Sequence, residues 1–180
     1  MKPTTLRLLI VGAFLTAGCG SAPDSVRSAA TEPMFASAQL GSCTNLAADG
    51  ELRIHAYADG VQIYRWSGAS WVLVAPRATL YADAGRRAVI GRHYAGPTWE
   101  SVSGSTVLGA VAERCTPNSN AIPWLLLNAA SSAGPGVFKG VTQIQRLNTV
   151  GGVAPSTPGA TIGDIVEVPY TAEYFFYGRE

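Results

Sequence analysis

The sequence predicts a single all-β domain, an antiparallel β-sandwich or barrel that begins as a hairpin meander. Two observations lead to this prediction. Short alternating or β-branched segments recur about every 8 to 15 residues after position 50, and turn-forming dipeptides separate them. Hydrophobic residues make up 47% of the 180-residue chain and charged residues only 14%, so most of the chain is expected to pack.

The clearest strand is predicted over residues 51–58, between the turn dipeptides Asp49-Gly50 and Asp59-Gly60. A period of two in its side chains is typical of a half-buried strand. One face carries Leu52, Ile54, Ala56 and Ala58, and the other carries Glu51, Arg53, His55 and Tyr57.

Further strands are predicted at similar spacing. Val61–Trp66 and Trp71–Val74 are the second and third, joined by a turn at Ser67-Gly68. Two more turns, at Asp83–Gly85 and Ser103–Ser105, separate β-branched or aromatic runs. A meander is the simplest connection between these strands.

In the second half, Ile122–Ala130 is continuously apolar and is either a buried strand or a short core helix. Apolar residues recur every three positions from Phe138 to Leu147, which favours a helix, but β-branched residues favour a strand, which we choose. Residues 151–159 are predicted as a loop. Residues 165–177 are predicted as a strand with a bend or edge at Pro169, because proline cannot donate to the ladder.

The N-terminus is typical of an export signal. Positive charges at Lys2 and Arg7 precede the apolar stretch Leu8–Leu15, which is too short to span a bilayer. The run LTAGC ending at Cys19 resembles a lipobox, in which the signal is cut before the cysteine and the thiol is acylated. Residues 1–18 are therefore predicted as a lipoprotein signal peptide, with ordinary secretion and an incidental Cys19 as the alternative.

Residues 19–40 are rich in Ser, Ala and Pro and are predicted to form a flexible tether of roughly 25 Å root-mean-square span. The folded domain is predicted over residues 41–180. We expect an exported protein, lipid-anchored to the bacterial cell envelope at the outer membrane or cell surface, with the membrane as its partner. Gly20 after the cysteine is consistent with outer-membrane sorting.

Three cysteines in an exported protein leave one over. If Cys19 carries lipid, Cys43 and Cys115 remain as a disulfide pair, which would stabilise the fold by about 4 kcal/mol through its long loop. The alternative is two separate buried thiols. Only two histidines are present and no cysteines are closely spaced, so we expect no metal site.

The segment HYAGPTWE, residues 93–100, carries the main candidate site. If Gly96-Pro97 forms a two-residue hairpin loop, the predicted pairs are Ala95–Thr98, Tyr94–Trp99 and His93–Glu100. The His93 imidazole and the Glu100 carboxylate could then share a hydrogen bond, with Tyr94 and Trp99 stacked on the opposite face. The pair would be a ligand site, a histidine base oriented by a carboxylate, or a structural pair at a tight corner.

Two further polar residues are candidates for ligand binding. Asn128 interrupts an apolar run, and an unpaired buried amide costs about 1–3 kcal/mol. We therefore expect it to satisfy a backbone group at the end of an element. Arg146 could bind a carboxylate bidentately, either that of a ligand or that of Glu100.

Several functions lack their usual signals. The chain has no nucleophile elbow, phosphate-binding loop or calcium loop, and we expect no cofactor. Thirteen basic residues balance twelve acidic ones without a basic run, so we expect no nucleic-acid partner.

Five segments carry a resemblance to a known family: GVQIYRW at 60–66, GRHYAGPTWE at 91–100 followed by Ser103-Gly104-Ser105, AIPWLLLNAA at 121–130, GVTQIQRLNTVGGVAP at 140–155, and VPYTAEYFFY at 168–177. Together they resemble a family of exported bacterial and fungal proteins known only as a domain of unknown function. The resemblance covers most of the chain after residue 50 and implies an extracytoplasmic β-rich domain.

The leading functional hypothesis is a non-catalytic ligand- or surface-binding module, because aromatic rings suit contact with a carbohydrate or a small apolar ligand. These rings are Tyr64, Trp66, Trp71, Tyr94, Trp99 and Trp124, most of them expected in the core. The alternatives are a hydrolase using His93 and Glu100, and a structural envelope protein. A pocket containing His93, Glu100 and Arg146 would favour an enzyme or a small-ligand site, and an exposed row of tryptophans would favour glycan binding.

Overall fold

Eight antiparallel strands close into one barrel in the computed structural model, which describes residues 40–179. The strands are β1 (Glu51–Trp66), β2 (Trp71–Tyr81), β3 (Val89–Tyr94), β4 (Thr98–Ser101), β5 (Thr106–Cys115), β6 (Trp124–Ala133), β7 (Val141–Gly151) and β8 (Ile165–Gly178). A 3-10 turn at Thr44–Leu46 precedes them. Each strand pairs with the next, and β8 pairs with β1, so the predicted all-β meander is confirmed and takes the form of a barrel.

The predicted signal peptide, Cys19 and nearly all of the predicted tether lie outside the described residues. Leu40, assigned to the tether, is already buried, so the packed part of the chain includes the residue before the predicted boundary. No helix within residues 40–179 has the length and apolar character needed to cross a membrane.

Strand β1 runs without interruption through Asp59-Gly60, so the turn predicted there is wrong. Gly60 lies inside the strand because the backbones of β1 and β2 approach closely at this point. A Cβ at Gly60 would lie 2.1 Å from the carbonyl oxygen of Arg77. A glycine is therefore needed here so that the two strands can pack together. The second and third predicted strands are the end of β1 and the start of a longer β2.

The other predicted turns, at residues 67–68, 83–85 and 103–105, connect strands as expected. The apolar run beginning at Ile122 and the segment VTQIQRLNTV form β6 and β7, so both are strands rather than helices. The strand β8 continues through Pro169 without a break.

Pro169 lies where β8 loses its neighbour β7. Its carbonyl oxygen accepts a hydrogen bond from the Gly152 amide at 2.9 Å, so the backbone polar atoms of Pro169 face away from β1. The last β7–β8 pair is Gly151–Tyr170, and the missing proline N–H therefore removes no bond from either ladder. The local edge predicted at Pro169 is confirmed on this side.

Aromatic side chains fill the middle of the barrel. The Trp99 ring packs edge-on against Tyr174 and Phe176, with ring centroids 5.3 and 5.9 Å away. Gly109 on β5 leaves room for the indole, because a Cβ there would lie 2.9 Å from Cζ3 of Trp99. An eight-stranded barrel is just wide enough to be filled by such side chains.

A second, smaller core lies outside the barrel wall, beneath residues 40–48. Residues 40–48 cover apolar side chains that project outward from the last three strands. They include Leu126, Leu147, Phe175 and Tyr177. The Gln145 side-chain amide donates to the Leu46 carbonyl oxygen at 2.5 Å. Leu52 packs against this outer core because the register shifts between Leu52 and Ile54, so its assignment to the inward face of β1 is wrong.

The disulfide between Cys43 and Cys115 is present and confirms the predicted pairing. It joins the N-terminal segment to the end of β5, with the two Cα atoms 5.7 Å apart. Closure of this long loop fastens the segment over the outer core.

The short β3–β4 hairpin leaves a gap in the barrel wall. β3 pairs with β2 only over Ala78–Tyr81, and β4 pairs with β5 only over Thr106–Leu108. Residues 71–77 of β2 and 110–115 of β5 therefore extend beyond the tip of the hairpin. The gap lies between these two extensions.

Candidate ligand-binding cavity

A cavity of about 380 Å³ reaches through this gap into the barrel. Its exposed lining is mostly apolar and includes Leu73, Val74 and Val111, whereas the residues at its buried wall include polar ones, Gln62, Tyr64 and His93. Arg146 and the exposed Arg114 also line it. An apolar cavity with a few convergent polar groups is the usual form of a small-molecule site.

His93 forms part of the floor of this cavity and is 2% exposed. Its ring stacks on Trp99 with the centroids 4.4 Å apart, and its Nδ1 lies 2.9 Å from the Thr98 carbonyl oxygen. A carbonyl oxygen can only accept, so Nδ1 carries the proton and Nε2 of the neutral ring is an acceptor. Burial, helped by the charge of Arg146, lowers the pKa of His93 to about 3.

The guanidinium of Arg146 enters the barrel from β7. Its Nε and Nη2 donate to the Pro123 carbonyl oxygen at 3.1 and 2.8 Å. In the described part of the chain it forms no ion pair with a carboxylate. Within residues 40–179 the hydrogen bonds of standard geometry to this half-buried cation are those with the Pro123 oxygen, and the Tyr174 hydroxyl is a looser neighbour of the guanidinium.

Three buried side chains near this cation have polar atoms without a hydrogen-bond partner in residues 40–179: Nε2 of Gln62 and the hydroxyls of Tyr170 and Tyr174. The Tyr174 hydroxyl lies beside the Arg146 guanidinium and the Tyr170 hydroxyl beside that of Tyr174, but none of these contacts in residues 40–179 has standard hydrogen-bond geometry. Burial raises the pKa of both tyrosines, so both remain protonated. Of these three residues only Gln62 lines the cavity, and because an unmade buried hydrogen bond costs about 1–3 kcal/mol, its Nε2 suits an acceptor brought by a ligand.

The β3–β4 hairpin has a different register from the predicted one. Its loop contains three residues, Ala95–Pro97, instead of two, and the observed pairs are Tyr94–Thr98, His93–Trp99 and Arg92–Glu100. A shift of one residue sends a side chain to the other face of the sheet. The predicted pairing of His93 with Glu100 and the predicted stacking of Tyr94 on Trp99 are therefore wrong.

Glu100 lies on the outer face of the barrel with Arg92 and Tyr94. Its carboxylate accepts hydrogen bonds from Arg92 Nη2 at 2.9 Å and from the Tyr94 hydroxyl at 2.8 Å. These bonds, that from Arg92 first, lower the pKa of Glu100. Glu100 is thus paired at the surface, and the alternative in which Arg146 binds it is wrong.

Asn128 also lies on the outside of the barrel. It sits within β6 and is exposed, and its Oδ1 accepts a hydrogen bond from Gln143 Nε2 at 3.2 Å. The expectation that it satisfies a backbone group at the end of an element is wrong, because its strand continues to Ala133. Of the six candidate binding residues, the structure brings together inside the barrel only His93, Trp99 and Arg146.

The tryptophans do not form a binding surface. All four lie within the described chain, where Trp66 and Trp99 are buried and Trp71 and Trp124 are half-buried. The structure therefore shows no exposed row of indoles of the kind that flat sugar rings would cover.

Gln62 is the principal cavity residue that sequence reasoning missed. The false turn at Asp59-Gly60 separated it from the alternation of Ala56 and Ala58, whose inward face it shares in one continuous strand. An amide at an inward position next to Tyr64 was the available signal.

A second polar cluster was also missed, on the outer face of β1 and β8. Nε2 of His55 lies 2.6 Å from Oε2 of Glu173, and Asn148 donates to Oε1 at 3.0 Å. Phe175 stacks on the imidazole with the ring centroids 4.2 Å apart. Within residues 40–179 no three His, Cys, Asp or Glu side chains converge as a metal site.

The family comparison agrees with the resemblance found in the sequence. The chain matches no curated protein and no solved structure. Residues 47–178 match the sequence model of a family described as "Protein of unknown function (DUF3455)", a span that covers β1 to β8 and every residue of the cavity. The chain therefore belongs to the DUF3455 family of proteins of unknown function.

Proposed function

We propose that this protein is a lipid-anchored binding module of the cell envelope that holds a small ligand in the cavity of its barrel. The observation that carries the proposal is the combination of an apolar rim, formed by Leu73, Val74 and Val111, with a buried Gln62 Nε2 that has no hydrogen-bond partner in the part of the chain that the structure describes. A site of about 380 Å³ lies at the lower end of the range for small molecules.

Export and anchoring rest on the signal sequence and its lipobox cysteine, Cys19. The Cys43–Cys115 disulfide supports the proposal weakly, because such bonds persist in oxidising compartments. Mass spectrometry of the N-terminal peptide should find an acylated Cys19. An intact, unacylated N-terminus on protein recovered from the cytosol would contradict this part of the proposal.

Ligand binding can be tested by thermal shift on the exported chain carrying Cys19→Ser, which prevents acylation. A panel of sugars and small apolar compounds should contain at least one that raises the melting temperature, because binding to the folded state alone stabilises it.

Two substitutions in β2 test whether the ligand binds in the cavity. Pro76→Phe puts a ring on a cavity-lining residue paired with Gln62 and should abolish the shift, whereas Val72→Phe, on the same strand outside the lining, should preserve it. A panel without any binder, or an equal shift in both variants, would count against the proposed site.

The hydrolase alternative has lost its geometric basis. It required His93 and Glu100 to share a hydrogen bond, and these side chains lie on opposite faces of the hairpin. We therefore favour binding over catalysis.

A further inference from the structure

The charges around the cavity have one sign. Among the described residues that line it, Arg146 and Arg114 are cationic and none carries a carboxylate. His93 adds no charge of its own, because burial keeps its ring neutral at neutral pH. The potential inside the cavity is therefore positive, in a chain whose formal charge is only +1.

Arg146 is oriented for a further partner. One edge of its guanidinium, Nε with Nη2, is occupied by the Pro123 carbonyl oxygen, which fixes the orientation of the group. Within residues 40–179 the edge formed by Nη1 and the second N–H of Nη2 has no acceptor in standard hydrogen-bond geometry, and the Tyr174 hydroxyl is a looser polar neighbour of the guanidinium. Two parallel N–H groups of this kind match the two oxygens of a carboxylate.

Building on the proposed function, we propose that the ligand is an apolar molecule with a single carboxylate, whose head binds Arg146 and Gln62. The Gln62 amide supplies a third donor, because this residue is 2% exposed and its Nε2 has no hydrogen-bond partner within residues 40–179. The apolar body of the ligand contacts Leu73, Val74 and Val111 at the rim. One carboxylate can accept from all three donors and neutralises the half-buried Arg146, whereas the exposed Arg114 remains in contact with water.

The test uses four alkyl probes of equal length on the exported Cys19→Ser chain, with affinity measured by isothermal titration calorimetry. We expect octanoate to bind at least about tenfold more tightly than octanol, because a hydrogen bond to a charged group is worth about 1.5–3 kcal/mol. Octylamine should not bind, and octyl phosphate should bind more weakly than octanoate.

Three variants locate the head group. Arg146→Gln keeps donors for the Pro123 oxygen and should weaken octanoate binding about tenfold while leaving octanol unchanged. Gln62→Leu removes the buried Nε2 that has no partner among the described residues, so it should fold at least as well as the parent and still bind octanoate several-fold more weakly. Arg92→Gln removes an equal charge on the outer face and should bind octanoate like the parent.

The outcomes separate this inference from the proposed function. Equal affinity for octanol and octanoate, tighter binding of octyl phosphate or octylamine, or an unchanged octanoate affinity in both Arg146→Gln and Gln62→Leu would overturn the carboxylate assignment. Binding of a sugar at the cavity without any alkyl probe would also overturn it and leave the proposed function standing. Failure of every compound would remove both.

Discussion

The imidazole of His93 lies parallel to the indole of Trp99, with ring centroids 4.4 Å apart and an interplanar angle of 10°. This contact exists because the three-residue loop of the β3–β4 hairpin places the two residues directly opposite each other. The same register sends Glu100 to the outer surface. One residue of loop length thus decides whether His93 belongs to a surface pair or to the floor of a cavity.

Stability should depend on pH through His93. Its pKa is lowered from 6.5 to about 3 in the folded state, mainly by burial, so the unfolded chain binds a proton at higher pH than the folded chain. The contribution of the neutral His93 to the free energy of unfolding is complete above pH 6.5. It is lost as the pH falls towards 3, by at most about 1.4 kcal/mol per pH unit.

Urea unfolding of the parent and of His93→Phe at several pH values checks this expectation. The variant keeps an aromatic ring against Trp99 but cannot titrate, so its stability should fall less steeply between pH 6.5 and 4. Equal slopes of the free energy of unfolding against pH in the two proteins would show that the folded state accommodates the imidazolium.

Glu173 should contribute a separate pH dependence from the outer face. The hydrogen bond from His55, followed by that from Asn148, lowers the pKa of Glu173 below its ordinary 4.5. The resulting stability is present above pH 4.5 and is lost as the pH falls through the lowered value. Glu173→Gln should reduce the free energy of unfolding at pH 7 by about 1 kcal/mol.

That difference between parent and Glu173→Gln should shrink as the pH is lowered below 4.5, and chemical unfolding at pH 7 and pH 3.5 measures it. Asn128→Ala, on the exposed outer face of β6, serves as a control expected to change stability by less than about 0.5 kcal/mol. A constant difference at both pH values would rule out an ionised Glu173 as its source.

Replacement of Gly60 should be strongly destabilising. A Cβ there would lie 2.1 Å from the Arg77 carbonyl oxygen and 2.5 Å from the Cα of Ala78, both on the backbone of β2. Gly60→Ala should therefore cost more than about 3 kcal/mol, in the range of severe core changes. Gly41→Ala, at a position with positive φ but open space, should cost only about 1 kcal/mol. Similar losses of melting temperature in the two variants would contradict the close approach of β1 and β2.

The disulfide should stabilise the whole domain. Cys43 and Cys115 are separated by 72 residues, and closing a loop of that size is worth about 4 kcal/mol in the chain-entropy model. The double variant Cys43→Ser/Cys115→Ser should lose most of this stability in denaturant unfolding, and reductant should lower the melting temperature of the parent but not of the variant. A variant as stable as the oxidised parent would show that residues 40–48 hold to the barrel without the bond.

The sequence alone determined the strand content, most of the turns and the disulfide pair, because these depend on local alternation, on turn-forming residues and on the number of cysteines. It also indicated the family, through five characteristic segments. It also placed His55 and Tyr57 correctly on the outer face of β1. Local information failed at Asp59-Gly60, where a turn-forming dipeptide lies inside a strand because another backbone passes beside it.

Only the tertiary structure decided that the meander closes, since that depends on the pairing of β8 with β1 across the length of the chain. It alone joined Gln62, His93 and Arg146 from three strands at one cavity and placed Glu100 outside. The physical reason is that a strand has two faces and a register. An error of one residue exchanges those faces, and distant strands meet only when the barrel is complete.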